Sequence, residues 1–154
     1  MKKAPGFSII HTLENTGKKT IETDQFNHNF FVIDHENTGP DFLVKFPFRI
    51  TTENDLKGIV KLDHNILCFA KKLTEGSIWL ALKGYGTEAA DHRIELVNNK
   101  TGAGVTIKVD KPLSKLVFWA TTTTLCPENF VKLTLIPGQK ETWISDYTLF
   151  SEKR

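Results

Sequence analysis

Phe, Val, Ile and Thr alternate with polar residues in short runs along this chain, and each run closes on Gly, Pro, Asn or Asp. Val105, Ile107 and Val109 alternate with Thr106, Lys108 and Asp110, while Trp143, Ser145, Tyr147 and Leu149 oppose Ile144, Asp146, Thr148 and Phe150. A period of two places successive side chains on opposite faces of a pleated strand, so the pattern predicts strands rather than helices. Eleven are expected, at about 7–14, 25–34, 42–50, 58–62, 66–71, 77–83, 93–97, 104–110, 115–120, 130–136 and 141–150. The turns have their own chemistry. Asn15-Thr16-Gly17, Asn37 to Pro40, Asn98 to Gly102 and Pro137-Gly138 supply residues that tolerate positive φ or preset a turn, so the flanking strands reverse direction. Pro47 and Pro112 cannot donate to a central ladder and belong at an edge, a strand start or a bulge. Helix is limited to a turn or two; Thr52 to Leu56 is the best candidate, and Gly58 stops it. Eleven strands exceed what an open sheet usually holds, which predicts an all-β, antiparallel β-sandwich of two packed sheets in a single domain, residues 1–154.

Composition narrows the partners. The 154 residues are 40% hydrophobic and 25% charged, with 20 Lys and Arg against 18 Asp and Glu interspersed along the chain. No basic face of the kind that neutralises phosphates is visible, so nucleic acid is not expected as a partner. The apolar runs are too short for a membrane helix, and Met1-Lys2-Lys3 leads into Ala4-Pro5-Gly6 rather than into the apolar stretch of a signal peptide; a soluble chain without membrane contact is expected. Cys68 and Cys126 lack the spacing of a metal site or a disulfide framework, which leaves at most one bridge. Neither a metal nor a cofactor is expected.

The densest unusual segment is Phe26-Asn27-His28-Asn29-Phe30-Phe31-Val32-Ile33-Asp34. Strand alternation would put Phe26, His28, Phe30 and Val32 on one face, so the imidazole projects from an aromatic surface. Taken alone, His28 is more simply a core histidine bonded to a carbonyl; as a functional group it needs a partner of opposite role. Glu128, in Leu125-Cys126-Pro127-Glu128-Asn129-Phe130, is the candidate partner, held by the stiff lead-in that Pro127 imposes. Its simpler alternative is a solvated loop glutamate. His11, His35, His64 and His92 read as packed, turn-side or strand-start residues. Gly84-Tyr85-Gly86 reads as a loop with an exposed ring, with sugar stacking as an added role.

These residues together resemble a known family. Leu13-Glu14-Asn15-Thr16-Gly17 followed by Phe26-Asn27-His28-Asn29-Phe30-Phe31 resembles the aldose 1-epimerase, or galactose mutarotase, pattern of an NTG turn leading into a histidine–aromatic segment. Lys100 to Pro112, Cys126-Pro127-Glu128 and Leu135-Ile136-Pro137-Gly138-Gln139 resemble, in the same order, that family's glycine hairpin, its glutamate and its late PG turn. The resemblance covers the C-terminal half or so of a family domain, without the upstream half that carries the first of two histidines. It implies a galactose mutarotase-like supersandwich, an aldose as small-molecule partner, His28 as the acid at the ring oxygen and Glu128 as the base at the anomeric hydroxyl. Asn27, Asp91 and His92 are implied as sugar contacts. Burial beside Phe26 and Phe30 would disfavour a charged imidazole, so a nearby carboxylate is needed if His28 is to act as an acid. The two groups are expected to share a pyranose-sized hollow at roughly 5 to 10 Å, by analogy with glycosidase carboxylates. The competing expectations are a non-catalytic carbohydrate-binding sandwich, and a half-domain whose uncovered sheet edge pairs with a second copy as a homodimer.

Overall fold

A computed structural model describes residues 4–151 of the chain. Eleven strands form: β1 (Gly6–Glu14), β2 (Ile21–Gln25), β3 (Phe42–Lys45), β4 (Val60–Asp63), β5 (Ile66–Phe69), β6 (Ile78–Leu82), β7 (Arg93–Asn98), β8 (Ala103–Val109), β9 (Lys115–Ala120), β10 (Leu125–Leu135) and β11 (Lys140–Ser151). One short 3-10 turn, Ala89–Asp91, interrupts them. No helix among the described residues is long and apolar enough to cross a membrane. All strand pairs are antiparallel, in a seven-stranded sheet of order β1-β11-β8-β7-β3-β5-β4 and a four-stranded sheet of order β2-β10-β9-β6.

The core forms because alternate residues of each sheet face the other sheet. Val44, Leu67, Ile94, Leu96 and Ile107 of the large sheet meet Ile78, Leu80, Leu82, Leu116 and Phe118 of the small one. A second cluster, Val109, Val131, Leu133, Leu135 and Trp143, continues the contact beneath β2. Phe118 is fully buried, and truncating a ring in such a place costs about 3–5 kcal/mol.

Two of the motifs close the sandwich at one end. The Asn15 side chain donates to the Lys19 and Leu135 carbonyls, both at 2.8 Å, and accepts the Gly17 N–H at 3.0 Å. Its backbone pairs with the other turn: Asn15 N–H donates to the Gln139 carbonyl and Gly138 N–H to the Asn15 carbonyl, each 2.8 Å. Gly138 adopts φ +80°, a conformation open chiefly to glycine. The NTG and PGQ turns, at opposite ends of the sequence, are therefore one structural unit.

Four expected elements differ. The strand expected at 42–50 ends at Lys45, two residues before Pro47. The strand expected at 25–34 is instead the end of β2 followed by an irregular segment, whose one bridge is Phe31 to Leu125. It closes in a tight turn at Asp34 and His35, both at positive φ, with Glu36 N–H on the Ile33 carbonyl at 3.2 Å. The strand expected at 130–136 starts five residues earlier and runs through Pro127. Leu125 exchanges both backbone hydrogen bonds with Phe31, on the side away from β9. Pro127 shares that direction two residues on, so its missing N–H removes no bond from the β9 ladder. The candidate helical turn at Thr52 to Leu56 is a bend, in which Thr52 Oγ1 accepts the Asn54 N–H at 3.2 Å.

Candidate functional site

β10 changes partners midway: Leu125–Phe130 pair with β9, and Val131–Leu135 with β2. Over the first half its outer face is free of a second strand, and the irregular Phe26–Phe31 segment lies across it. Cys126, Glu128 and Phe130 point to that outer face, opposite Leu125, Pro127 and Asn129, as the pleat requires. Phe26 stacks on Phe130 at 4.2 Å between centroids. His28 stacks on Phe30 at 4.4 Å and meets the edge of Trp119 at 5.6 Å. Lys115 Nζ sits 4.7 Å over the Phe130 ring.

This arrangement brings His28 and Glu128 together. Nε2 lies 3.3 Å from Glu128 Oε1, and the two side chains are 42% and 11% exposed. Glu128 is thus a buried strand residue rather than a loop one, in direct contact with the imidazole. His28 Nδ1 lies 2.9 Å from Cys126 Sγ, a contact between residues 98 apart that no local pattern announces. Burial, reinforced by the Glu128 charge, pushes the Cys126 thiol up to about 12. The thiol therefore keeps its proton at neutral pH.

The pair sits on an aromatic ledge. In register across the small sheet run Cys126, Trp119 and Trp79, then Glu128, Val117 and Ala81. Trp79 is 50% exposed and Phe30 62%. Three hollows of about 350 to 420 Å³ lie elsewhere, beside Tyr147, beneath Arg93 and beside His11, and none is lined by His28 or Glu128. The expected separation of 5 to 10 Å is instead a direct contact. The reason is that the irregular segment pairs with β10 only at Phe31 and Leu125 and carries His28 over Glu128 before that bridge.

The other expected sugar contacts are engaged elsewhere. Asn27 accepts from Gln25 Nε2 at 2.9 Å and donates to the Tyr147 hydroxyl at 3.0 Å. Asp91 accepts the Gly86 N–H at 2.7 Å. His92 is buried, with Nδ1 2.7 Å from the Lys111 carbonyl and Nε2 2.5 Å from Asn129 Nδ2. It has no free nitrogen and no exposed surface for a sugar. Asn129 points inward where Glu128 points outward, so His92 serves the opposite side of the same strand. Tyr85 also departs from expectation: half-buried, it packs on the core and donates to the Ser114 carbonyl at 3.2 Å. Both cysteines are free thiols.

Comparison with solved structures decides the fold. A protein assigned as an aldose 1-epimerase from Klebsiella pneumoniae superposes at TM-score 0.71 and 17% identity, over 97% of this chain and 44% of that one. The fold is galactose mutarotase-like. A galactose mutarotase related enzyme from Lactobacillus acidophilus matches at TM-score 0.64 and 14% identity, over 94% and 57% of the two chains. A galactose mutarotase-like protein from Lactobacillus casei matches at 0.62 and 14%, over 93% and 58%. The chain spans about half the length of these galactose mutarotase-like structures. No protein-family model matches the sequence, and no curated protein matches it either.

Proposed function

We propose that the protein interconverts the anomers of an aldose by general acid–base catalysis, with Glu128 as base and His28 as acid. The observation that carries this reading is the 3.3 Å contact between an exposed imidazole and a largely buried carboxylate on an aromatic ledge. The close spacing suits the reaction. The anomeric hydroxyl and the ring oxygen are bonded to the same carbon, so an acid and a base serving them stand side by side rather than across a ring. Glu128 takes the anomeric hydroxyl proton as the bond from C1 to the ring oxygen breaks, and His28 Nε2 delivers a proton to that oxygen. After rotation about C1–C2, closure on the other face runs both transfers backward. Both groups then return to their starting protonation states. Trp79, Trp119 and Phe30 offer apolar faces to the C–H side of a pyranose.

Polarimetry or exchange NMR on freshly dissolved α-aldoses tests the proposal. The expected result is a rate above the spontaneous one, lowered about 10²- to 10⁴-fold by His28→Ala and by Glu128→Gln. A rate unchanged by both substitutions rejects it. A second reading, sugar binding without turnover, is favoured by the exposed Trp79 and Phe30 rings; calorimetric binding of an aldose with no anomer exchange would select it.

A further inference from the structure

We infer that His28, Cys126 and Glu128 form a binding site for a thiophilic divalent cation such as zinc, and that cation occupancy switches the acid–base pair off. This inference concerns the regulation of the site proposed above and rests on that reading for its second half only.

The donor atoms already converge. One nitrogen, one sulfur and one carboxylate oxygen from the three residues all lie within 4.8 Å of one another. The shortest approaches are 2.9 Å between Nδ1 and Sγ and 3.3 Å between Nε2 and Oε1. Those two approaches use opposite nitrogens of the ring and an ion takes only one; metal–ligand bonds of about 2.0 to 2.3 Å in a tetrahedron set the donors roughly 3.3 to 3.7 Å apart, so the His28 ring must pivot to bring one nitrogen, from within the 4.8 Å span of the three donors, into that range of both Sγ and a Glu128 oxygen. Cys126 and Glu128 are fixed two residues apart on one face of β10, and the partly exposed His28 ring is the ligand free to pivot. Three protein ligands leave the fourth position to water.

The chemistry selects the ion. A thiolate, an imidazole and one carboxylate suit zinc or cobalt, whereas magnesium and calcium seek oxygen alone. Binding exchanges the thiol proton for the metal: the S–H bond breaks, the sulfur lone pair goes to the ion, and the proton leaves to solvent. The same event ties up the His28 nitrogen and the Glu128 oxygen that the isomerisation needs, so metal and proton transfer exclude each other.

Cobalt(II) titration of the full chain under reducing, anaerobic conditions tests the site without any sugar. One equivalent should produce a near-ultraviolet thiolate-to-cobalt band and the visible bands of a tetrahedral ion, both displaced by zinc. His28→Ala, at a partly exposed position, should lose the visible bands and weaken binding more than about tenfold, the least expected even for an outer-shell change. Cys126→Ser should abolish the charge-transfer band, and Cys68→Ser should leave it. Absence of the band in the unsubstituted protein, or a band that survives Cys126→Ser or is lost in Cys68→Ser, overturns the proposal. Zinc should also slow anomer exchange in step with site occupancy. Exchange that continues at full rate with the site filled refutes the switch. Cobalt bands without any exchange activity would sink the acid–base reading while leaving the metal site standing.

Discussion

Lowering the pH from 7 to 4 should destabilise this protein through His92 before most of its carboxylates titrate. The ring is buried between β8 and β10, and desolvation lowers its value from 6.5 to about 4, against weaker opposing pulls from the Lys111 carbonyl and the Asp110 charge. A depressed folded value means that the unfolded chain takes up the proton first. The contribution of His92 is therefore complete above pH 6.5, is lost as the pH falls toward 4, and is level below that. At 1.36 kcal/mol per pH unit, the gap corresponds to about 3 kcal/mol. That is a large share of the 5–15 kcal/mol that holds an ordinary domain together. Urea unfolding of the wild type and of His92→Gln at pH 7, 6, 5 and 4 measures it. Glutamine can keep a donor on Lys111, and the variant should be less stable at pH 7 yet lose less on acidification. Parallel losses in the two proteins between pH 6.5 and 4.5 would refute this account of the buried ring.

Two further outcomes are expected. Asn15→Ala strips two carbonyls and one amide of their partner and should cost about 2–4 kcal/mol in chemical unfolding, since buried groups left unpaired cost about 1–3 kcal/mol each and some will find water. Trp79→Ala, at a half-exposed position on the outer face, should leave the melting temperature nearly unchanged but weaken aldose binding several-fold in calorimetry.

Strands with both a ladder and a buried face were readable from alternation: β9 falls at the expected 115–120, and β8 and β11 within a residue or so. The segment after β2 shows where alternation misleads. Phe31 and Ile33 pack against the core while Phe30 and Val32 stay exposed, so the burial pattern of a strand persists with only one bridge to a neighbour. Period two reports which side is buried, not whether a ladder exists. His28 and Glu128 could be singled out because their types and surroundings are unusual. Their contact distance and the arrival of Cys126 depend on a packing between residues about 100 apart in sequence, which leaves no local trace. The inward commitment of His92 is equally invisible, because the Asn129 amide that holds it is a tertiary neighbour.

The outward carboxylate and the inward amide at positions 128 and 129 share one ladder register, and that register is policed by hydrocarbon. Sliding β10 by a single residue would drive Glu128 into the interior and turn Leu133 and Leu135 toward water. The free energy that keeps oil and water apart thus also proofreads the orientation of the Glu128 carboxylate. A lineage could lose or exchange the chemistry at this face while the aim of position 128 stayed under selection for folding alone.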